Sequence, residues 1–197
     1  MSSEGIDAKV ELRSRLIAAR NQLHDHQRRR LDRQICAQLL RYLGELDYLD
    51  IAAYIAFRGE PDLSPALEVL HQAGRRIHLP IVRDQAMHFA RWVPGTEMPK
   101  NRFGIPEPVN GRPCPTERLE LVLMPLVAFS PAGTRLGMGA GFYDRCFSFR
   151  NEHRDAPPEL IGVAYSLQEV NSLPAQSWDV PLDGVITDLG VRLFRAQ

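Results

Sequence analysis

The sequence has no excess of either charge and no apolar run long enough to cross a membrane. Its 24 Lys+Arg residues match its 24 Asp+Glu residues, whereas a protein that coats nucleic acid carries a concentrated basic surface. The longest apolar run, from Leu121 to Phe129, is interrupted by Pro125 and falls far short of the roughly 20 residues that a bilayer crossing needs. We therefore expect neither a nucleic-acid partner nor a membrane-spanning segment.

Cysteine and lysine are also scarce. The three cysteines, Cys36, Cys114 and Cys146, are widely spaced and form no CxxC pair, so the sequence indicates neither a disulfide framework nor a thiolate zinc site. Lys9 and Lys100 are the only lysines. The amino terminus carries acids where a secretory signal needs bases, and no apolar segment follows it. We expect reduced thiols and a cytoplasmic protein.

What the sequence does contain is typical of a globular domain. It has 197 residues, of which 44% are hydrophobic, and this suits one well-developed core and predicts a single domain over residues 1–197. Apolar residues recur at helical spacing over 12–23 and 31–42, and Gly44 stands where the second helix would end. The arginine run 28–30 lies in a helical pattern with Asp25 and Asp32 beside it, so it is interpreted as a solvated helix face in preference to a phosphate-binding patch.

Short apolar runs after these helices predict strands buried on both faces, which are typical of a parallel sheet. The runs cover 51–57, 77–82, 119–127, 160–164 and 185–186, with an alternating, half-exposed strand over 87–92. A short helix that begins near Pro65 and a second candidate over 142–150 alternate with them. The alternation predicts an α/β domain around a mostly parallel sheet.

The stretch from Pro125 to Arg145 carries the strongest chemical signal. A buried strand leads through a turn to Gly137, Gly139 and Gly141, and a helix is predicted directly after them. Backbone N–H groups of alternating glycines can converge on an anion, to which a helix N-terminus adds partial positive charge. The pattern matches neither the dinucleotide fingerprint nor the Walker loop. A phosphate site and a tight turn that only packs a helix on a strand both stay open.

Two charged residues flank the glycines. Arg135 can bind phosphate oxygens bidentately, and Asp144 can hold the Mg²⁺ that accompanies ATP. Together they predict a magnesium–nucleotide site. The alternative is that Arg135 and Asp144 only pair with each other or with their neighbours.

The segment from Arg135 to Arg145 resembles the signature of the 5-formyltetrahydrofolate cyclo-ligase family, R-L-G-x-G-x-G-[YF]-Y-D-R. Three further motifs follow the family's order: Lys9-x-x-x-Arg13, F-G-I-P-E-P over 103–108, and W-D-V-P-L-D over 178–183, where the family has H-D-x-x-x-D. The second motif lies in a proline- and glycine-rich connection that is too long to be inert. The four motifs cover essentially the whole chain.

This resemblance implies a ligase of one-carbon metabolism that forms a cyclic carbon–nitrogen bond. Its substrate would be 5-formyltetrahydrofolate, with or without a polyglutamate tail, and its product 5,10-methenyltetrahydrofolate. ATP would be the cosubstrate and Mg²⁺ the cofactor, and ADP and phosphate would be released through a phosphorylated formyl oxygen. The implied fold is a three-layer α/β/α domain similar to the sugar-phosphate isomerase and CoA-transferase group. We also expect a monomer.

The resemblance also implies roles at the matching positions. Arg135 and Asp144 would be catalytic, and Asp144 with Asp183 would bind Mg²⁺. Ile55 and Glu60 would contact the folate, with the Glu60 carboxylate accepting pterin N–H groups unless it caps the helix that follows. The ATP-binding set would be Lys9, Arg13, Arg135, Leu136, Gly137, Met138, Gly139, Ala140, Gly141, Phe142 and Tyr143. A second folate-binding set would be Met138, Gly139, Ala140, Gly141 and Phe142.

Other interpretations remain for some of these residues and for the whole chain. Lys9 could be an ordinary exposed helix lysine, Tyr143 a core residue and Asp183 a solvated loop aspartate. Departures from the family pattern fall at Ser130, Met138, Ala140 and Trp178. Two rival functions stay open: a phosphosugar enzyme without an ATP requirement, and a non-catalytic folate- or nucleotide-binding regulator.

Overall fold

Two long helices open the molecule. The computed structural model describes residues 3–109 and 111–194. Helix α1 spans Ser3–Asn21 and helix α2 spans Asp25–Gly44, which confirms the predicted pair and the end of the second helix at Gly44. Helix α2 buries one stripe because its apolar residues recur every four positions. The stripe is Leu31, Ile35, Leu39 and Leu43.

An eight-stranded sheet forms the centre of the fold. Its strands are β1 (Asp50–Ala52), β2 (Arg76–Arg83), β3 (Ala86–Trp92), β4 (Pro113–Cys114), β5 (Leu121–Pro125), β8 (Glu159–Val163), β9 (Gly184–Thr187) and β10 (Gly190–Leu193). A separate hairpin pairs β6 (Ala128–Phe129) with β7 (Arg135–Leu136). Two shorter helices are α3 (Ser64–Gln72) and α4 (Phe142–Cys146).

The strand order is β10-β9-β8-β5-β1-β2-β3-β4. The five strands from β9 to β2 in this order are parallel, and β10, β3 and β4 are antiparallel at the two edges. This confirms the predicted α/β class with a mostly parallel sheet. The chain moves from β1 to β2 on one side and returns to β5 on the other. Ligands bind outside the carboxyl ends of strands at such a reversal of strand order.

Both faces of the sheet are covered. On one face, α2 and α3 pack against apolar residues such as Ile51 and Leu121. On the other face, Val122 and Leu160 pack with Phe147 and the aromatic residues around α4. This second layer is thin, because α4 is short and continues into a 3-10 turn over Ser148–Asn151.

Three segments differ from the sequence-based expectation. Strand β1 has three residues instead of the predicted 51–57, because the chain leaves the sheet after Ala53 donates its N–H to the His78 carbonyl. The helix predicted over 142–150 ends at Cys146, where the fully buried Phe147 turns into the core. The β6–β7 hairpin was not expected. Apolar runs reveal burial, and they do not reveal where a buried chain leaves a sheet.

No helix in the described ranges is both long and apolar enough to cross a membrane. The single domain over residues 1–197 and the similarity to the sugar-phosphate isomerase and CoA-transferase group stay predictions.

Candidate active site

A cleft of about 1330 Å³ opens at the carboxyl ends of the central parallel strands. Tyr54 and Ile55 directly follow β1, Val82 lies near the end of β2, and Pro125 ends β5. Helix α1, the loop after β7 and the segments 101–107 and 176–179 complete the walls. The cleft therefore lies where strand order reverses, the position at which open α/β sheets bind ligands.

Helix α1 contributes two cations to the cleft. Lys9 and Arg13 are four residues apart and share one helix face, and both line the cleft. Lys9 Nζ lies 3.3 Å from Asp179 Oδ2, and Arg13 Nε donates to the Gly137 carbonyl at 2.8 Å. Burial lowers the pKa of Arg13, and the nearby Asp179 opposes this effect. Lys9 is thus a cleft residue and not a freely exposed helix lysine.

The glycine loop between β7 and α4 forms one wall. Gly139 and Gly141 have φ angles of +99° and +65°, a left-handed conformation that favours glycine. A Cβ atom on Gly139 would lie 3.7 Å from the Arg13 guanidinium carbon, so the loop passes directly beside this cation. Met138 is 39% exposed. The loop backbone is thus accessible to a ligand, but α4 has only five residues, too few for the helix dipole that the sequence suggested.

Arg135 and Asp144 pair with each other while both line the cleft. Arg135 Nη2 lies 2.6 Å from Asp144 Oδ1, and the two side chains are 4% and 22% exposed. Asp144 Oδ1 also accepts the Val180 N–H at 3.1 Å. The buried Nε of Arg135 has no hydrogen-bond partner among the described residues. Buried donors normally have an acceptor, and a ligand oxygen in the cleft would supply one.

The structure does not bring Asp183 to Asp144 in a shared cation site. Arg150 Nη2 lies 2.7 Å from each Asp183 carboxylate oxygen, and the Leu160 N–H donates to Oδ2 at 2.8 Å. Asp183 does not belong to the residues that line the cleft. The prediction that Asp183 binds Mg²⁺ is corrected on this geometry, because its carboxylate already neutralises the buried Arg150.

Glu60 is a buried acid in the cleft, and Ile55 lines the same cavity. The Phe57 N–H donates to Glu60 Oε2 at 3.0 Å. Burial raises the pKa of Glu60 to about 7, although Arg20 and the Phe57 amide oppose the shift. The alternative in which Glu60 caps α3 is wrong, because the first N–H group of the helix, that of Ser64, donates to Asp62 Oδ1 at 2.9 Å instead.

The F-G-I-P-E-P segment is held against β2 by its own glutamate. Glu107 is buried and accepts the Val82 N–H at 2.8 Å, Asn101 Nδ2 at 2.7 Å and Arg83 Nη1 at 3.0 Å. Phe103 extends toward the glycine loop, and its ring centroid lies 5.9 Å from that of Phe142. The segment is therefore a fixed wall of the cleft.

Some cleft residues were not singled out from the sequence. Tyr54 and Asn101 line the cavity but belong to no recognisable chemical pattern, whereas Arg145 lines it as the last residue of the glycine signature, with no role attached. Asp179 carries the Lys9 contact and was visible only as part of the W-D-V-P-L-D motif, with no role attached. Tyr143 lines the cleft and packs on Phe147 at a ring separation of 6.5 Å. It is therefore both a cleft residue and a residue packed against the core.

The acids of the cleft fit a hard cation at Asp144. Mg²⁺ prefers carboxylate oxygens, and Asp144 Oδ2 makes no hydrogen bond to the described part of the chain. Asp179 presents a second carboxylate to the same cavity. The described residues contain another group of potential metal ligands, Asp50, His78 and Cys114, but it lies outside the cleft.

A mostly parallel sheet whose switch point carries a cleft lined by cations and exposed glycine backbone defines a ligand-binding α/β protein of the open-sheet class. A family model narrows the class. The model of the 5-formyltetrahydrofolate cyclo-ligase family matches residues 6–188, and the chain belongs to that family.

Curated relatives and solved structures agree with this assignment. The 5-formyltetrahydrofolate cyclo-ligase of Escherichia coli (strain K12) is 34% identical over 173 residues, which are 85% of this chain and 93% of that protein. The Haemophilus influenzae cyclo-ligase is 32% identical over 183 residues, or 90% and 96% of the two chains. The NMR structure of Aquifex aeolicus 5,10-methenyltetrahydrofolate synthetase superposes with a TM-score of 0.82 at 32% identity, covering 96% of this chain and 94% of that one.

Proposed function

We propose that this chain converts 5-formyltetrahydrofolate to 5,10-methenyltetrahydrofolate, with ATP as cosubstrate and ADP and phosphate as products. Membership of the cyclo-ligase family supports the reaction. The observation that carries the proposal is the make-up of the cleft, in which three cations and an exposed glycine backbone share one cavity with a buried carboxyl group. These three cations are Lys9, Arg13 and Arg135, and the carboxyl group is that of Glu60; Arg58, Arg102 and Arg145 line the cleft as well.

The chemical problem is that a formamide oxygen is a poor leaving group. Transfer of the ATP γ-phosphoryl group forms an O–P bond to the formyl oxygen and breaks the bond between the γ-phosphorus and the β,γ-bridging oxygen. The neighbouring folate nitrogen then attacks the activated carbon, and the oxygen departs with phosphate. Such a reaction needs in-line positioning and charge neutralisation more than a chain of proton transfers.

The triphosphate is proposed to lie between α1 and the glycine loop. Lys9 and Arg13 would bind its oxygens, and the unpartnered Nε of Arg135 would donate to the transferring phosphoryl group. Asp144 would hold the Arg135 guanidinium in place through their 2.6 Å pair. The full ATP-binding set is Lys9, Arg13, Arg135, Leu136, Gly137, Met138, Gly139, Ala140, Gly141, Phe142 and Tyr143, all of which line the cleft.

Asp144 is also the residue proposed to hold Mg²⁺, through the carboxylate oxygen that Arg135 leaves free. A bound Mg²⁺ neutralises charge on the β- and γ-phosphates. Asp179 would help to retain it, because its carboxylate faces the same cavity. Asp183 is not part of this set.

The folate is proposed to bind with its pterin ring at Glu60. The amide and amino N–H groups of that ring are donors that a carboxylate can accept, and Ile55 would pack against the ring. Pterin binding would therefore favour the ionised form of a carboxyl group whose pKa burial raises. Backbone and side-chain atoms of Met138, Gly139, Ala140, Gly141 and Phe142 complete the folate contacts.

A basic rim suits the glutamate tail of the folate. A second cleft of about 520 Å³ adjoins the first and shares Asn101 and Arg102 with it, and Lys100 also lines it. Met138 cannot contribute an ionic contact, so the carboxylates of a polyglutamate tail would meet Lys100 and Arg102 instead.

A turnover assay tests the proposed function. Purified protein with 5-formyltetrahydrofolate and MgATP should generate the near-ultraviolet absorbance of the methenyl product, and omission of ATP should abolish it. Binding of folate or nucleotide without turnover would favour a regulator. Phosphosugar turnover without ATP would favour the rival enzyme.

A further inference from the structure

Trp178 extends from a short turn at the mouth of the cleft. It lines the cavity and is 56% exposed, which is unusual for the largest apolar side chain. The turn is closed by the Asp179 N–H, which donates to the Gln176 carbonyl at 3.0 Å. The Gln176 N–H in return donates to Asp179 Oδ2 at 2.9 Å.

The turn is fastened to the cleft on two sides. Asp179 Oδ2 contacts Lys9 Nζ at 3.3 Å, and the Val180 N–H donates to Asp144 Oδ1 at 3.1 Å. Lys9 and Asp144 are the residues proposed to hold the triphosphate and its cation. Asp179 and Val180, which make these contacts, are the first and second residues after Trp178. Because successive Cα atoms are about 3.8 Å apart, the indole is attached close to both Lys9 and Asp144.

We propose that the Trp178 indole stacks on the adenine base of ATP and thereby positions the nucleotide. In a nucleotide one ribose separates the base from the phosphates. An aromatic side chain beside Lys9 and Asp144 is therefore placed to contact the base when these residues hold the phosphates and the cation. Stacking on an aromatic face needs no hydrogen-bond pattern, because every base has a π-face. The inference rests on the proposed function and adds a nucleotide-positioning residue to it.

The pterin of the folate is a less suitable occupant for this indole. The buried Glu60 and Ile55, which are proposed to contact the pterin, follow β1, whereas Trp178 is linked to α1 and α4 through Lys9 and Asp144. Phe103, which is 42% exposed, supplies a separate aromatic face on the F-G-I-P-E-P segment.

Steady-state kinetics provide the first test. Trp178→Ala should raise the KM for ATP by roughly 5- to 100-fold. Its kcat at saturating ATP and its KM for folate should change by less than about twofold, because uniform binding is what is lost. Trp178→Phe should recover most of the ATP affinity. Leu189→Ala is the matched control, since Leu189 is 81% exposed and lies outside the cleft.

Intrinsic fluorescence provides a readout that a structural role would not move. Trp92 is the other tryptophan, so the Trp92→Phe variant reports on Trp178 alone. MgADP should quench this emission with saturation, whereas magnesium pyrophosphate, which has the same two phosphates and no base, should leave it unchanged.

An unchanged KM for ATP in Trp178→Ala, or an equal fluorescence response to ADP and pyrophosphate, would overturn the inference. A rise in the KM for folate instead would assign the indole to the other substrate and also reject it. These failures differ from failure of the proposed function, in which the unsubstituted protein forms no methenyl product.

Discussion

Glu60 is a single residue whose ionisation links folding to pH. Its pKa lies near 7 in the folded protein against 4.5 as the ordinary value, because burial disfavours the carboxylate. Between these two pH values the folded state binds more protons than the unfolded state. The free energy of unfolding must therefore fall as the pH rises through this window.

We predict that Glu60→Gln removes this decline, which amounts to about 2–3 kcal/mol between pH 4.5 and 7. Urea unfolding of both proteins across that range measures the decline. The free energy of unfolding of the unsubstituted protein should fall relative to that of Glu60→Gln as the pH rises. Glu68→Gln is the control, because Glu68 is exposed on α3. Parallel pH curves for the unsubstituted protein and Glu60→Gln would contradict the raised pKa.

Asp144 pairs with the buried Arg135, and we propose that it also has a catalytic role. We predict that Asp144→Asn lowers turnover by about 100-fold or more, because charge control at the transferring group is lost. It should also lower the free energy of unfolding by about 1–3 kcal/mol, since the Arg135 side chain, 4% exposed, loses its counter-charge. Activity and urea unfolding measure the two effects. Asp155→Asn, at an exposed position, should change neither, and normal turnover of Asp144→Asn would refute the assignment.

Single residues were predictable from sequence where a motif isolated them. Lys9, Arg13 and Arg135 do meet in one cleft. Asp183 was wrongly paired with Asp144, because its partner, Arg150, lies in no pattern that marks it as buried. Only the packed fold shows which carboxylate already has a counter-charge.

At the scale of elements, Glu107 attaches the loop between β3 and β4 to strand β2. We predict that Glu107→Ala frees the 101–107 segment, because three donors lose their acceptor. Trypsin should then cleave after Lys100 or Arg102 at least about tenfold faster, because loss of the three hydrogen bonds lowers the free energy of local opening by roughly 1.4 kcal/mol or more. The KM for folate should rise as this wall of the cleft loosens.

The control is Glu97→Ala, an exposed position on the same connection, which should leave the cleavage rate unchanged. Equal proteolysis of the two variants would show that Glu107 does not hold the segment.

Elements were predictable to the extent that burial alone defines them. Apolar residues at helical spacing predict the helices, and short continuous apolar runs predict the parallel strands. The early end of β1 and the short α4 are not predicted in this way, because both depend on where the chain turns away to build the cleft. The same stretch, 53–57, that breaks the strand prediction supplies Tyr54 and Ile55 to the site.

At the scale of the whole molecule, bound nucleotide should stabilise the fold by linking α1 to the sheet. We predict that MgADP at about 100 times its Kd adds about 2.7 kcal/mol to the free energy of unfolding and raises the Tm by several degrees. Lys9→Ala should reduce this shift at equal ligand concentration. Its Tm without ligand should also fall, because the substitution leaves Asp179 without its counter-charge in a pair whose side chains are only 17% and 20% exposed. The ADP-induced shift is therefore measured within each protein.

Differential scanning fluorimetry measures these shifts, and the chain offers a matched control. Lys100→Ala removes the other lysine, which does not line the main cleft. A loss of the ADP-induced Tm shift in Lys100→Ala, with a normal shift in Lys9→Ala, would contradict the prediction. It would show that Lys100, and not Lys9, binds the nucleotide.

The contact between Lys9 and Asp179 joins residues 170 positions apart, and it bears on how the protein is made. A nascent chain that has emerged through β5 and the glycine loop still lacks the Gln176–Asp179 turn and the amide of Val180. The proposed nucleotide site is therefore complete only after residues 176–180 have left the ribosome. Until then Lys9 lacks the carboxylate that it contacts in the folded protein.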